Sequence, residues 1–260
     1  MLPAERLEKI ITYVNEKGFV TVNELLKMFN VSKPTIMRDL AKLENDQRIL
    51  RTHGGASSIK AGTRFEPTHV MKENQEIEKK RQIAKVAKNF INPYETILLD
   101  SGSTTLMLAE QLTTMKNITV ITNDLKVAMC LGGNEDIELV VLGGQKRKGV
   151  FSLIGSIPEN LIVDLCIDKA FIGADAVSID KGIMNSNLDE MNLKKLMIEQ
   201  SNTKYLLVDS TKFNHSAFAK VGDIELMNHI ITDEGLAEKT ISELEEKHIK
   251  VHIAKDKKDG

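Results

Sequence analysis

The chain holds only two cysteines in 260 residues, Cys130 and Cys166, far apart in sequence. A disulfide framework is not indicated, and there is no thiolate cluster for a metal. The six histidines show no ligand spacing such as His-Glu-x-x-His, so no metal is expected. No apolar run reaches the length of a membrane span, and the N-terminus lacks the apolar core of a signal peptide. The expected setting is the cytoplasm, with no membrane partner. Neither a Gly-x-Gly-x-x-Gly fingerprint nor a Gly-Lys-Ser/Thr phosphate loop occurs, which argues against a nucleotide cofactor, and no cofactor is expected. Internal repeats and low-complexity tracts are missing as well.

What is present begins with three amphipathic stripes near the N-terminus. Leu7, Ile10, Ile11 and Val14 form the first, and Val22, Leu25, Leu26 and Phe29 the second. The third is Ile36, Leu40 and Leu43, at i, i+4 and i+7. Gly18 separates the first two helices, and Asn30-Val31-Ser32 turns into the third. Ser32 suits the N-cap, where its hydroxyl can accept from a first-turn amide. Pro34 fits the first turn because amides there have no intrahelical partner to lose. Thr35, Arg38 and Lys42 line an outward polar face of this helix, flanked by Ser32 and Lys33. Apolar behind and cationic in front, it is built to lie in a major groove of double-stranded DNA. Arg51 and His53 follow on a short basic hairpin, placed for a phosphate or a minor groove. The candidate DNA-binding residues are therefore Ser32, Lys33, Thr35, Arg38, Lys42, Arg51 and His53.

Charge divides accordingly. Residues 1–64 carry 11 Lys/Arg against 7 Asp/Glu, and residues 65–260 carry 24 against 30. A basic head on an acidic body fits a protein that meets nucleic acid through its head alone. The length suggests two domains. Ser57, Ser58, Gly62 and Pro67 break the periodicity, giving a head over 1–57, a linker over 58–73 and a body over 74–260.

The body opens with a charged helix over Glu76 to Phe90, with Ile77, Ile83, Ala84, Ala87 and Phe90 partly buried. Strand and helix then alternate. Apolar runs occur at 97–100, 118–122, 139–142, 170–172, 205–209, 229–232 and 251–253, with helices over 104–113, 125–131, 188–200 and 238–247. Runs apolar on both faces describe an open, mostly parallel α/β sheet covered on both sides. Ligands of such sheets sit beyond the carboxyl ends of the strands. Ser101-Gly102-Ser103-Thr104-Thr105 follows the first run and offers hydroxyls and helix-start amides to an anion such as phosphate. Thr122-Asn123-Asp124, Gly143-Gly144, Gly173-Ala174-Asp175 and Thr211-Lys212 stand at equivalent strand ends. Lys212 could meet phosphate, and Asn123, Asp124 or Asp175 could bond sugar hydroxyls.

At this point the chain resembles the DeoR family of bacterial transcriptional repressors over nearly its whole length. The head carries Val31-Ser32-x-x-Thr35-Ile36-x-Arg38-Asp39-Leu40, Leu43-Glu44 and Arg51-x-His53-Gly54-Gly55-Ala56. The body carries Asp100-Ser101-Gly102-Ser103-Thr104, Thr122-Asn123, Leu142-Gly143-Gly144, Phe171-Ile172-Gly173-Ala174-Asp175 and Asp209-Ser210-Thr211-Lys212-Phe213. Met37 departs from the pattern, standing where many members carry Arg or another polar residue. The resemblance implies a winged helix-turn-helix joined to a sugar-phosphate sensor with a fold similar to ribose-5-phosphate isomerase. It also implies a homo-oligomer that represses a sugar-uptake or catabolic operon. With it, the candidate effector-binding residues are Asp100, Ser101, Gly102, Ser103, Thr104, Thr105, Thr122, Asn123, Asp124, Gly143, Gly144, Asp175 and Lys212. Met184 to Glu190 and Tyr205 to Asp209 look locally like the lactose-phosphotransferase repressors, which sense tagatose 6-phosphate.

The alternative is a sugar-phosphate isomerase. Asp175 matches one acid of that family, but Ser178 stands where a second acid is needed, and the glycine-rich lysine loop is absent. Asp189 and Glu190 are nearby acids, but outside that register, and at a helix start they also complement the dipole.

Overall fold

The computed structural model describes residues 2–46, 48–52, 54–58, 66 and 72–255. Its contacts divide the chain into two units, Met1–Pro67 and Thr68–Gly260. None of the described helices is long and apolar enough to cross a membrane.

The first unit contains α1 (Pro3–Lys17), β1 (Phe19–Thr21), α2 (Val22–Phe29), α3 (Lys33–Asn45), β2 (Ile49–Thr52) and β3 (Gly55–Ser58). The three stripes meet in one core, where Ile10, Val14, Leu25, Ile36 and Leu40 are fully buried. Thr21 and Glu24 close a reciprocal capping box on α2, and Asn30 ends it in the left-handed region at φ 50°. Ser32 occupies the N-cap of α3, but its hydroxyl does not accept from an amide; its Oγ lies 2.9 Å from Thr35 Oγ1. The Ser32 carbonyl instead takes the amides of Thr35 and Ile36, at 3.0 and 3.2 Å.

The hairpin is larger than the sequence suggests. β1 joins it, giving an antiparallel sheet of order β1-β3-β2. A Cβ on Gly55 would stand 1.9 Å from the Val20 carbonyl oxygen, so only glycine allows this approach. Asp39 is buried and accepts from Arg6 Nε at 2.5 Å and Nη2 at 3.1 Å, tying α1 to α3. Met37 is partly buried against the head core.

The second unit opens with α4 (Ile77–Lys88), β4 (Thr96–Leu99), α5 (Ser103–Leu112), β5 (Ile118–Thr122), α6 (Leu125–Leu131) and β6 (Ile137–Val141). Next come β7 (Gln145–Lys146), β8 (Leu153–Ile154), α7 (Ser156–Ile162), β9 (Ile167–Ile172), β10 (Ala176–Ser178), β11 (Gly182–Asn185) and α8 (Met191–Glu199). It closes with β12 (Ser201–Leu207), β13 (Ala219–Gly222), β14 (His229–Asp233), α9 (Glu238–Glu246) and β15 (Lys250–Ala254). Seven strands form one sheet of order β15-β14-β12-β9-β4-β5-β6, and every pairing in it is parallel.

Alternate residues of these strands feed two cores. Leu98, Ala170, Leu206 and Ile230 pack with α7, α8 and α9. Ile97, Leu99, Phe171, Leu207 and Ile231 pack with α4, α5 and α6. Ile77, expected to be partly buried, is instead 40 % exposed at the first residue of α4. The hairpin of β7 and β8 and the antiparallel sheet β10-β11-β13 have no counterpart in the sequence reading. Their strands run two to four residues, too short to show a period.

The strand order decides where a ligand can sit. From β4 the chain moves outward through β5 to β6, then returns to β9 on the other side of β4 and continues to β12, β14 and β15. The order therefore reverses between β4 and β9. Connections leave those two strand ends in opposite directions, opening a crevice between them.

Candidate functional site

In the head, α3 presents Ser32, Lys33, Arg38 and Lys42 to solvent, with Thr35 half-buried beside them. Lys33, Arg38 and Lys42 make no ion pair among the described residues. Arg38 and Lys42 lie on one side of a helix whose other side is anchored by the buried Ile36 and Leu40, and Lys33 stands at its first turn. Arg51 belongs to β2, and His53 lies outside the described residues.

In the second unit, a small cavity open to solvent lies at the β4/β9 reversal. Ser101, Gly102, Ser103, Thr104 and Thr105 line it from β4, Gly173, Ala174 and Asp175 from β9, and Val208, Asp209 and Lys212 from β12. Helix α5 starts directly after the β4 loop, so its first-turn amides have no intrahelical partner and face the cavity's side of the sheet. Thr105 Oγ1 donates to the Gly102 carbonyl at 2.9 Å, fixing the loop.

Four lysines join this wall: Lys72, Lys80, Lys194 and Lys212. Lys80 is 3 % exposed and donates to the backbone carbonyls of Lys72 and Gln75, the latter at 2.6 Å. Burial, reinforced by the Lys212 charge, pushes its ammonium down to about 8. Lys194 Nζ donates to Asp100 Oδ2 at 2.6 Å and to the Gly173 carbonyl at 2.8 Å. Asp100 also accepts from the Gly173 amide at 2.9 Å, so it locks the ends of β4 and β9 together. Asp175 accepts from Lys72 Nζ at 2.7 Å and from the Ser186 amide at 2.9 Å. Burial alone would raise its carboxyl, but the Lys72 ammonium and the Ser186 amide hold it well below the usual carboxylate range. The cavity thus combines a cationic, hydroxyl-rich end with an ionised acceptor. That arrangement can take an anionic group and a hydroxyl on the same small molecule.

Two family models match the chain. The DeoR-like helix-turn-helix domain matches residues 6–61, and the DeoR C terminal sensor domain matches residues 75–234. The chain belongs to the DeoR family. It is 33 % identical over 95 % of its length to a putative aga operon transcriptional repressor from Escherichia coli O157:H7, covering 93 % of that protein. It is 31 % identical over 97 % of its length to the glycerol-3-phosphate regulon repressor of Escherichia coli K12, covering all of it. Among solved structures, ribose 5-phosphate isomerase A from Methanocaldococcus jannaschii is 20 % identical with a TM-score of 0.41, over 54 % of this chain and 55 % of that one. This DeoR-family member is a DNA-binding transcriptional regulator, not an isomerase.

Of the effector-site residues expected from the sequence, Ser101, Gly102, Ser103, Thr104, Thr105, Asp175 and Lys212 of this DeoR-family chain line the cavity together. Six others lie outside it. Asp100 sits behind the wall as the clamp just described. Thr122 Oγ1 donates to the Leu99 carbonyl at 2.8 Å, and Asp124 caps α6 while accepting from Ser101 Oγ. Asn123 Nδ2 reaches the Leu153 carbonyl at 3.3 Å. Gly143 and Gly144 adopt φ 74° and 108°, and a Cβ on Gly144 would press on the Ile154 carbonyl at 2.6 Å and on Pro158 at 2.8 Å. These residues end β5 and β6, one and two strands away from the reversal; Thr122 and Asp124 hold the β4 end, while Asn123 and the Gly143-Gly144 pair meet Leu153, Ile154 and Pro158 instead.

The sequence reading missed Lys72, Lys80 and Lys194; it met Asn185 only within the local likeness over Met184 to Glu190, and Glu190 there and as a nearby acid. Lys72 and Glu73 fall in the stretch read as linker, yet they pair with Asp175 and Lys126 of the sensor. For two of the lysines a signal was available. Lys80 stands in phase with the buried Ile83, Ala84 and Ala87, and Lys194 with Met197 and Ile198. A lysine inside an apolar stripe is a candidate for an inward-facing charge.

Proposed function

We propose that this regulator represses a sugar-uptake or catabolic operon and is controlled by a phosphorylated sugar bound in the sensor cavity. The buried Lys80 ammonium carries this reading: a cation held in a wall of hydroxyls and helix-start amides awaits an anion. The phosphate meets Ser103, Thr104, Lys80 and Lys212, and sugar hydroxyls meet Asp175. Two relatives, a glycerol-3-phosphate regulon repressor and a putative aga operon repressor, support a sugar-linked role. In the head, α3 enters the major groove, with Arg38 reading a base edge or a phosphate. One such helix reads only a few base pairs, so the working form is a homo-oligomer with at least two heads.

The segment entering the sensor supplies the coupling. Lys72 pairs with Asp175, Glu73 pairs with Lys126, and the carbonyls of Lys72 and Gln75 take the protons of Lys80. Ligand hydroxyls compete with Lys72 for Asp175, and phosphate competes with those carbonyls for Lys80. The ligand therefore favours a state in which residues 72–75 are released, and the chain leading to the head changes with it. The bound form fits DNA poorly, giving induction. The test is thermal shift against hexose, pentose and hexitol phosphates, tagatose 6-phosphate among them, followed by operator release with the best ligand. Light scattering gives the oligomer mass against the 29.0 kDa chain.

A further inference from the structure

Asn185, the last residue of β11, is 3 % exposed and lines the cavity. Its Oδ1 is buried and has no hydrogen-bond partner. Leaving a buried acceptor unpaired is costly, and native proteins do so rarely.

The neighbouring carboxylate fixes which atom of the amide is left over. Glu190 Oε1 accepts from Arg147 Nε at 3.0 Å and from Ser152 Oγ, and Glu190 Oε2 faces Asn185 Nδ2 at 3.4 Å. A carboxylate only accepts, so the amide turns its NH₂ to Glu190, and its oxygen is the atom left unpaired in a residue that lines the cavity. Asp175 stands beside it, since the Asp175 amide donates to the carbonyl of Met184, the residue before Asn185. This part of the wall therefore offers two acceptors, Asp175 and Asn185.

We infer that Asn185 is a specificity-determining residue that accepts a hydrogen bond from a ligand hydroxyl away from the phosphate. The inference rests on the sugar-phosphate reading above. It narrows the ligand to phosphorylated compounds whose hydroxyl at this position is free. An acetamido carbonyl or a carboxylate there would set acceptor against acceptor and leave both unpaired.

The experiment is calorimetric titration of wild type and Asn185→Leu with inorganic phosphate and with the best-binding sugar phosphate of a hexose, pentose and hexitol panel. Leucine keeps the branched outline of the amide, with a larger volume, and needs no hydrogen bond. The expected result is inorganic phosphate affinity unchanged within about twofold, with sugar-phosphate affinity lowered roughly tenfold to hundredfold. Singly deoxygenated analogues then identify the hydroxyl: the one that weakens wild type has no further effect on the variant. Where Asn185→Leu does not fold, Asn185→Ala carries the same comparison. Equal sugar-phosphate affinity in wild type and a folded variant overturns the assignment while leaving the cavity reading intact. An equal loss for both probes also overturns it, because the anion end would then have been disturbed. If wild type binds neither probe, the sugar-phosphate reading falls and this inference with it.

Discussion

Lys72 Nζ lies 2.7 Å from Asp175 Oδ1, joining the chain that enters the sensor to the end of β9 across the mouth of the cavity. This pair would be broken by a ligand that needs Asp175. Lys72→Met removes the competitor without removing the acceptor. The expected outcome is operator affinity weakened several-fold without ligand, and a smaller further change when ligand is added. Fluorescence anisotropy with labelled operator measures both, and an unaltered ligand response would remove Lys72 from the coupling.

Lys80 makes ligand affinity depend on pH. Its ammonium, pushed down to about 8 in the unliganded cavity, is stabilised again by a bound phosphate, so binding takes up a proton above that pH. Affinity should be level near pH 7 and fall above pH 8, by at most about tenfold per unit. Lys80→Met should bind more weakly and lose this slope. Calorimetry in buffers of different ionisation enthalpy reads the proton uptake directly.

Variants of the two sites should separate cleanly. Arg38→Ala is expected to lose about 1–3 kcal/mol of operator binding if the guanidinium reads a base, with ligand binding unchanged. Thr104→Ala and Lys212→Ala should keep operator affinity and lose release by the sugar phosphate, the behaviour of permanently repressed alleles. Gel-shift titrations with and without ligand test all three. Release as easy as wild type in both sensor variants would put the anion elsewhere.

His229 and His252 set an acid limit on the sensor. His229 Nδ1 lies 3.0 Å from His252 Nε2, and the His229 ring stacks on Tyr205 at 4.5 Å between centroids. Burial, with the neighbouring His252, pushes His229 down to about 4 from an ordinary 6.5. As pH falls below 6.5 the unfolded chain takes its proton first, so stability present at neutral pH is lost progressively towards pH 4. Urea midpoints across that range should decline, and His229→Gln should decline less steeply. A pH-independent midpoint would show that the pair does not titrate on unfolding.

Much of this protein is determined by sequence alone, because local periodicity carries it. The stripes of Ile10/Val14, Leu25 and Ile36/Leu40 require three packed helices, and the sequence places Arg38 and Lys42 on the face opposite the third. The alternation of apolar runs and helices requires a covered parallel sheet, and α6 and β5 fall on the residues expected. The tertiary structure decided which strand ends converge. Every loop after a strand looks equivalent along the chain, but those that line the cavity follow β4, β9 and β12. Asp100 to Thr105 and Gly173 to Asp175 therefore build the site and its clamp, while Asn123, Gly143 and Gly144 lie at strand ends beyond it. It also decided the fate of charges that a sequence assigns to solvent. Lys80, Lys194 and Asp39 are buried because carbonyls, Asp100 and Arg6, distant in sequence or on the opposite side of a turn, arrive to satisfy them. Periodicity reports which way a side chain points, and only the folded chain supplies what it meets there.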